Sequence, residues 1–395
     1  MRRRVAPFLL VTALILGASA LIVACAGQQP APTAAPTKAA APTTAAAPTT
    51  AAPAATTAPT KAPAASPAAA PAASPAAGAA AGATLTAGKA AAAPKIDADA
   101  SDGDWAKVQA ATIRVAGGLG LANGSTDVSL KALYDNDNVY FLMQYADPTQ
   151  SLRRFPWQKQ ADGSWKQLGD TTSGDEKELY EDKWAMIWNI GDSIGNFNTQ
   201  GCFATCHLGE GKPFGNMYTN APGEKGDIWH LKTVRTGSVG RVDDQFLDDT
   251  KYNAQSAPEA GRKSDANTGG GYKDNATEDK KLPASAAPDN KPAPPYWIED
   301  AKKVAFDDSK YKANDEVAGI LVAPYQGDRG EINAAMAYKD GKWTFEFSRK
   351  LATGSDRDIQ FSDLNKEYYF GVAVFDAAQV RHAFQSGVTK MVFAK

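Results

Sequence analysis

Residues 125–146 read STDVSLKALYDNDNVYFLMQYA, two runs of alternating apolar and polar residues separated by Asp-Asn-Asp-Asn. Period-two alternation suits a strand with one buried face, and the polar break suits a turn, so this segment predicts a β-hairpin. EINAAMAYKDGKWTFEFSRKL (331–351) repeats the pattern with Lys339-Asp340-Gly341 at its turn. KWAMIWNIG (183–191) puts Trp184, Met186 and Trp188 on one face. DIWHLKTVRT (227–236) puts Trp229 and Leu231 on one face, His230 and Lys232 on the other. YYFGVAVFD (368–376) and TKMVFA (389–394) complete a set of roughly nine or ten strands, with short helices expected only at 176–182 and 377–384. The fold class is all-β, a β-sandwich.

The first part of the chain follows a different logic. Arg2, Arg3 and Arg4 precede an apolar run that ends in Ile22-Val23-Ala24-Cys25, the layout of a secretory signal over residues 1–24. The residues before Cys25 resemble a bacterial lipobox, which implies cleavage there and a lipid on the Cys25 sulfur. An uncleaved membrane anchor is the alternative, since about 20 apolar residues can span a bilayer. Residues 25–95 are rich in Ala, Pro and Thr, with too few large apolar side chains to offset chain entropy. They read as a disordered linker that holds a folded domain, 96–395, away from the extracytoplasmic face of a membrane. Within that domain, residues 250–297 are polar and rich in Gly and Pro, and read as a long loop insertion. The net charge of −2 and the lack of a basic stripe argue against a nucleic-acid partner.

The chain has three Cys and three His, and three of those six residues fall in Cys202-Phe203-Ala204-Thr205-Cys206-His207. C-x3-C-H is one residue longer than the usual c-type haem attachment signal. Two thiols would meet the two vinyl groups of one haem c, and His207 would reach the iron. A Cys202–Cys206 disulfide leaves His207 unexplained, and a zinc site needs a fourth, distant ligand. For the second axial position the candidates are Met217, in PFGNM, and His230, which points off the Trp229 face; His382 packs or caps its own segment. Phe214, Trp229 and Trp188 are candidates to line a haem pocket or, equally, to fill the sandwich core. The acidic group Asp243, Asp244, Asp248 and Asp249 suits a solvated loop or, with its oxygen ligands, calcium.

In order along the chain, DADASDGDWAKV, the 125–146 hairpin, GCFATCH with PFGNM, GDIWHLKTVRTG, DDQFLDD with GRKSDANTGGGYKDN, and GDRGEINAAMAYKDGKWTFEFSRK with YYFGVAVFDAAQVRHAF resemble the haem-binding domain family named for ethylbenzene dehydrogenase. That family includes cytochrome subunits of molybdenum oxidoreductases of the dimethyl sulfoxide reductase class, and c-type relatives with a Cys/Cys-His motif. The resemblance implies an immunoglobulin-like sandwich, similar to carbohydrate-binding modules, holding one haem at its end. By analogy with the b-type relatives, a Met and a Lys ligate the iron, which brings in Lys232, although His207 would replace it here.

A covalent haem with two protein ligands exchanges electrons and leaves no open position for substrate. The expected function is a lipid-anchored c-type cytochrome passing single electrons between a membrane electron-transport complex and a redox partner protein. No Ser-His-Asp set, phosphate loop or paired carboxylates stand out, so the chain is not expected to be an enzyme. The alternatives are a surface carbohydrate-binding sandwich with a Cys202–Cys206 disulfide, a haem sensor or enzyme with an open sixth position, and a haem subunit of a molybdenum oxidoreductase complex.

Overall fold

A computed structural model describes residues 82–205 and 217–395. The signal segment, Cys25 and the linker to residue 81 lie outside the described residues, as do Cys206, His207 and Phe214. Among the described residues no helix is long and apolar enough to cross a membrane.

Thirteen strands form one continuous hydrogen-bonded sheet that folds over on itself. In chain order they are β1 (Thr84–Lys89), β2 (Ala111–Ala116), β3 (Ser125–Tyr134), β4 (Asn138–Ala146), β5 (Lys183–Asn189), β6 (Gly226–Lys232), β7 (Asp243–Leu247), β8 (Arg262–Ser264), β9 (Asn333–Lys339), β10 (Lys342–Lys350), β11 (Tyr368–Phe375), β12 (Ala383–Gln385) and β13 (Thr389–Phe393). One layer runs β2-β3-β4-β10-β9 and the other β11-β5-β6-β7-β8; β12 joins them through β2, and β1 with β13 joins them through β3. The core between the layers is aromatic. Phe141 of β4 meets Trp188 at 6.1 Å and Trp229 at 5.6 Å, and Phe347 of β10 meets Trp184 at 4.6 Å.

Both predicted hairpins form as β3-β4 and β9-β10. The second turns on Asp340 and Gly341, both with positive φ (52° and 72°), as a two-residue loop twisting with its strands requires. The sheet also starts earlier than composition suggests. β1 lies inside the stretch assigned to the linker, because Leu85 and Ala87 alternate into the core while the strand pairs in parallel with β13 and β3. Residues 250–297 are likewise not a single loop. They contain β8 and Gly269–Asp274, which pairs with Ile320–Gln326 and packs Tyr272 beside Val234, Ile320 and Val322.

The two expected short helices do not form. At 176–182 the Glu176 carboxylate accepts the backbone N–H groups of Lys177, Glu178 and Leu179, capping a bend rather than a helix. At 377–384 the chain turns through Ala377 (φ 48°), whose N–H donates to Asp182, and then enters β12. The one α-helix among the described residues is a single turn, Phe197–Gln200, leading into the cysteine segment.

Candidate cofactor site

Strands β5, β6 and β11 are buried on both faces. Register sets the rows: Trp229, Met186 and Val372 align on the core side, while His230, Ala185 and Ala373 align on the other. Successive residues of a strand point to opposite faces, so the outer row of His230 is flanked on one side by Ile228, Ile187 and Gly371 and on the other by Lys232, Lys183 and Phe375. Over this outer face lies a cavity of about 690 Å³, within the range of cofactor sites. Its floor is low because Ala185, Ala373 and Gly371 carry almost no side chain. A methyl on Gly371 would stand 3.3 Å from the Cys202 Cβ, so the missing side chain lets the cysteine segment lie close to the sheet.

One end of the cavity is basic. Arg154, Lys183, Lys232, Arg235 and Arg262 all line it. Glu181, fully buried, accepts the Val234 and Arg235 N–H groups at 2.7 and 3.0 Å and pairs with the Arg235 guanidinium. Burial pushes the Glu181 carboxyl up, but Arg235 and Arg154 outweigh it and hold it below the usual range. Lys232 pairs with Asp243, which burial would raise but Lys232 and Arg329 bring down. Lys183 is different: it is 2% exposed, donates to the Gln379 carbonyl at 2.8 Å, and sits 4.0 Å from the Phe375 ring centre. Burial, then Arg235, drives its ammonium well below the usual lysine range. The positive field also reaches Tyr272, whose phenol Lys232 pulls down to about 8 against its burial. A wall that favours even a phenolate is suited to an anionic ligand.

His230 projects from the floor. Its ring stacks on Phe375 at 5.7 Å and 23°, and its Nε2 is sealed from solvent with no hydrogen-bond partner. Burial, then Lys232 and Lys183, pushes its pKa well below the ordinary value, so the imidazole is neutral. His382 lies on the other strand-end segment, 4.7 Å from the same Phe375 ring, with Nδ1 2.7 Å from the Val380 carbonyl. Cys202, Phe203 and Met217 line the cavity too. Met217 packs against the apolar cluster that includes Ile187, Ile228 and Cys202, and its carbonyl accepts the Gly261 N–H at 2.8 Å.

Several expected site residues are thus brought together: Cys202, Met217 and His230 share one cavity. Trp188 and Trp229 do not. Both are fully buried in the core on the opposite face, because alternation sends them there when His230 faces the cavity. Phe203, Phe375 and Phe384 supply the aromatic lining instead. The acidic quartet does not act as one group either. Asp243 and Asp244 lie in the buried strand β7 and point to opposite faces; Asp248 pairs with Lys263. Lys183, Arg154 and Arg235 escaped the sequence reading, although Lys183 falls on the face opposite Trp184 by the same period-two rule.

The fold and this cavity define a β-sandwich with a basic, imidazole-bearing cavity on one layer. The profile of the family described as ethylbenzene dehydrogenase matches residues 102–387, and the chain belongs to that family. Among solved structures, a carbohydrate-binding module family 9 domain from Caldicellulosiruptor kristjanssonii, in complex with glucose, is 9% identical, with a TM-score of 0.32 over 79% of this chain and 94% of that one. The same module with cellotriose is 10% identical, with a TM-score of 0.31 over 79% and 95%. No curated protein matches the chain.

Proposed function

We propose that the cavity over β5, β6 and β11 holds one haem c, joined by thioether bonds to Cys202 and Cys206, and that the protein is an electron carrier. The observation that carries this reading is the convergence of a neutral, unpartnered imidazole, a basic wall and the cysteine segment on one cofactor-sized cavity. When bound, the haem supplies a one-electron couple, tuned by its axial ligands and burial. His207, next to Cys206, would face the iron from the attached segment. His230 would present Nε2 from the sheet, with Met217 as its rival at the rim. Arg235, Arg154 and Lys183 would neutralise the haem carboxylates, and Phe375, Phe384 and Phe203 would keep water away.

The wider setting is part of the same proposal. Lipid on Cys25 would hold the protein at the extracytoplasmic face of a bacterial membrane. There it would pass single electrons between a membrane electron-transport complex and a redox partner, for which an oxidoreductase of the molybdenum class is the natural candidate given the family. The role is that of an electron-transfer protein rather than an enzyme. A glycan-binding role has less support. Among the described residues no aromatic ring stands mainly in solvent, so a stacking platform for sugars is missing.

The test is an optical spectrum of protein matured with a cytochrome c assembly system, followed by acid-acetone extraction. The expected result is a c-type spectrum that stays with the polypeptide and disappears in Cys202→Ser/Cys206→Ser. His230→Ala should open a position that binds added imidazole, while Met217→Ala should not. Absence of haem, or haem that extracts fully, sinks the proposal; the reverse outcome for the two axial variants moves the ligand to Met217.

A further inference from the structure

On the core side of the strands that carry His230 lies a second polar cluster. Asp227 of β6, Asp244 of β7 and Asp358, in the segment before β11, each bring a carboxylate oxygen within 4.8 Å of the others. All three are essentially inaccessible, at 0%, 0% and 1% exposed. Their hydrogen bonds cover only part of them. Asp227 Oδ2 accepts from Arg349 at 2.9 Å and from the Ile359 N–H at 2.8 Å, and Asp358 Oδ2 accepts from Thr353. Asp227 Oδ1, Asp358 Oδ1 and both oxygens of Asp244 have no partner. Asp265 flanks the trio, its N–H donating to the Asp244 carbonyl at 3.3 Å; it is 4% exposed and both its carboxylate oxygens are also unpartnered.

Burying a carboxylate without a partner is costly, and here several converge. Arg349 offsets part of the charge, but it is shared between Asp227 and Glu331. The unpartnered oxygens thus belong to carboxylates that approach one another within 4.8 Å, a spacing that suits a cation. We propose that Asp227, Asp244 and Asp358, flanked by Asp265, form a calcium site. The donor set is oxygen only, which disfavours the softer transition metals as occupants. Calcium takes six to eight oxygens at about 2.3–2.6 Å, so opposite ligands stand up to about 5 Å apart, matching the observed spread. Magnesium requires about 2.0–2.1 Å and keeps its waters, which a buried strand pair does not accommodate. The ion would tie β6, β7 and the 353–359 segment together behind the sheet that carries the cofactor cavity.

The experiment uses the full chain, stripped with chelator, titrated with calcium by calorimetry and with terbium by luminescence. Trp229, directly opposite Asp244 in the strand pairing, is the sensitiser. One ion per chain is expected at this site. At about 100 times the dissociation constant, calcium should raise the melting temperature by about 4 °C. Asp244→Asn should melt no lower than the parent in chelator, since it relieves repulsion, and should lose both the calcium increment and the terbium emission. Asp147→Asn, in the other buried acidic trio (Asp147, Asp182, Asp376), should keep them. No calcium-dependent rise in the parent, an Asp244→Asn variant that still responds, or loss of the response in Asp147→Asn would each overturn the assignment.

Discussion

Lys183 and Arg235 line the same cavity wall, yet their replacement by Met should change stability in opposite directions. Arg235 is held by Glu181, which is 0% exposed and has no other close cation than Arg154 at 3.6 Å. Removing Arg235 strands a buried carboxylate, a change that costs about 3–5 kcal/mol. Lys183 has no carboxylate within ion-pair distance among the described residues; it meets the Gln379 carbonyl and the rings of Phe375 and Tyr180. Replacing such a buried, unpaired amine by an apolar side chain of similar length should be neutral or stabilising by at most about 4 kcal/mol, the upper end of what removing a whole buried ion pair gives. With an unfolding entropy of about 0.6 kcal/mol/K for roughly 300 ordered residues, these become a fall of about 5–8 °C for Arg235→Met and a rise of up to about 6 °C for Lys183→Met.

The assay is calorimetric melting of the cofactor-free protein, expressed without haem attachment. In haem-loaded protein the Lys183 effect should shrink or reverse. There the ammonium gains a charge-assisted hydrogen bond to a carboxylate, a contribution of about 1.5–3 kcal/mol. If Lys183→Met melts lower than the parent in the cofactor-free protein, by as much as Arg235→Met, then Lys183 is not an uncompensated charge. The claim that the wall is built for an anion would then fail.

Gly371→Leu should leave the core untouched, because the new side chain enters the cavity floor toward Cys202. Its expected signature is a modest stability change, about 1–3 kcal/mol, with haem incorporation per chain falling at least about tenfold; normal loading would show that the cavity is not the site. Asp147 gives a pH prediction. Burial and then Asp376 raise its carboxyl to about 7, so the folded chain keeps a proton that the unfolded chain releases near pH 4. Its contribution is fully present below pH 4 and is lost as pH rises toward 7, a decline on the order of 4 kcal/mol. Asp147→Asn should flatten the fall in melting temperature between pH 5 and 8 in chelator, and an unchanged slope would contradict the assignment.

The strands were legible because alternation is a property of neighbours along the chain. Both hairpins, and the division of β6 into a Trp229 face and a His230 face, follow from that rule alone. The helices at 176–182 and 377–384 were misread because side chains overrule the local pattern there: Glu176 takes three backbone N–H groups, and Asp182 takes that of Ala377. β1 was hidden by composition, since TLTAGK carries little apolar bulk and earns its place only through parallel pairing with strands far away in sequence. The basic wall was illegible for the same reason. The register of β5 against β6 sets Lys183 beside Lys232, and buried Glu181 gathers Arg235 and Arg154, which are far apart in the chain.

The cavity reverses the usual signal for a binding site. Trp188 and Trp229 were candidates for a pocket or, equally, for the core, and they fill the core. The site is marked instead by what is small on the opposite face, Ala185, Ala373 and Gly371, with one imidazole standing among them. A strand that serves a core on one side and a cavity on the other needs bulk at alternate positions and less of it in between. KWAMIWN and YYFGVAVF meet that requirement: Trp184, Met186 and Trp188 alternate with Ala185 and Ile187, and Phe370, Val372 and Val374 with Gly371 and Ala373. The same alternation that fixes the fold therefore sets the depth of the cavity. Enlarging an outer-row residue should cost cofactor before it costs stability, while trimming an inner-row Trp should do the opposite.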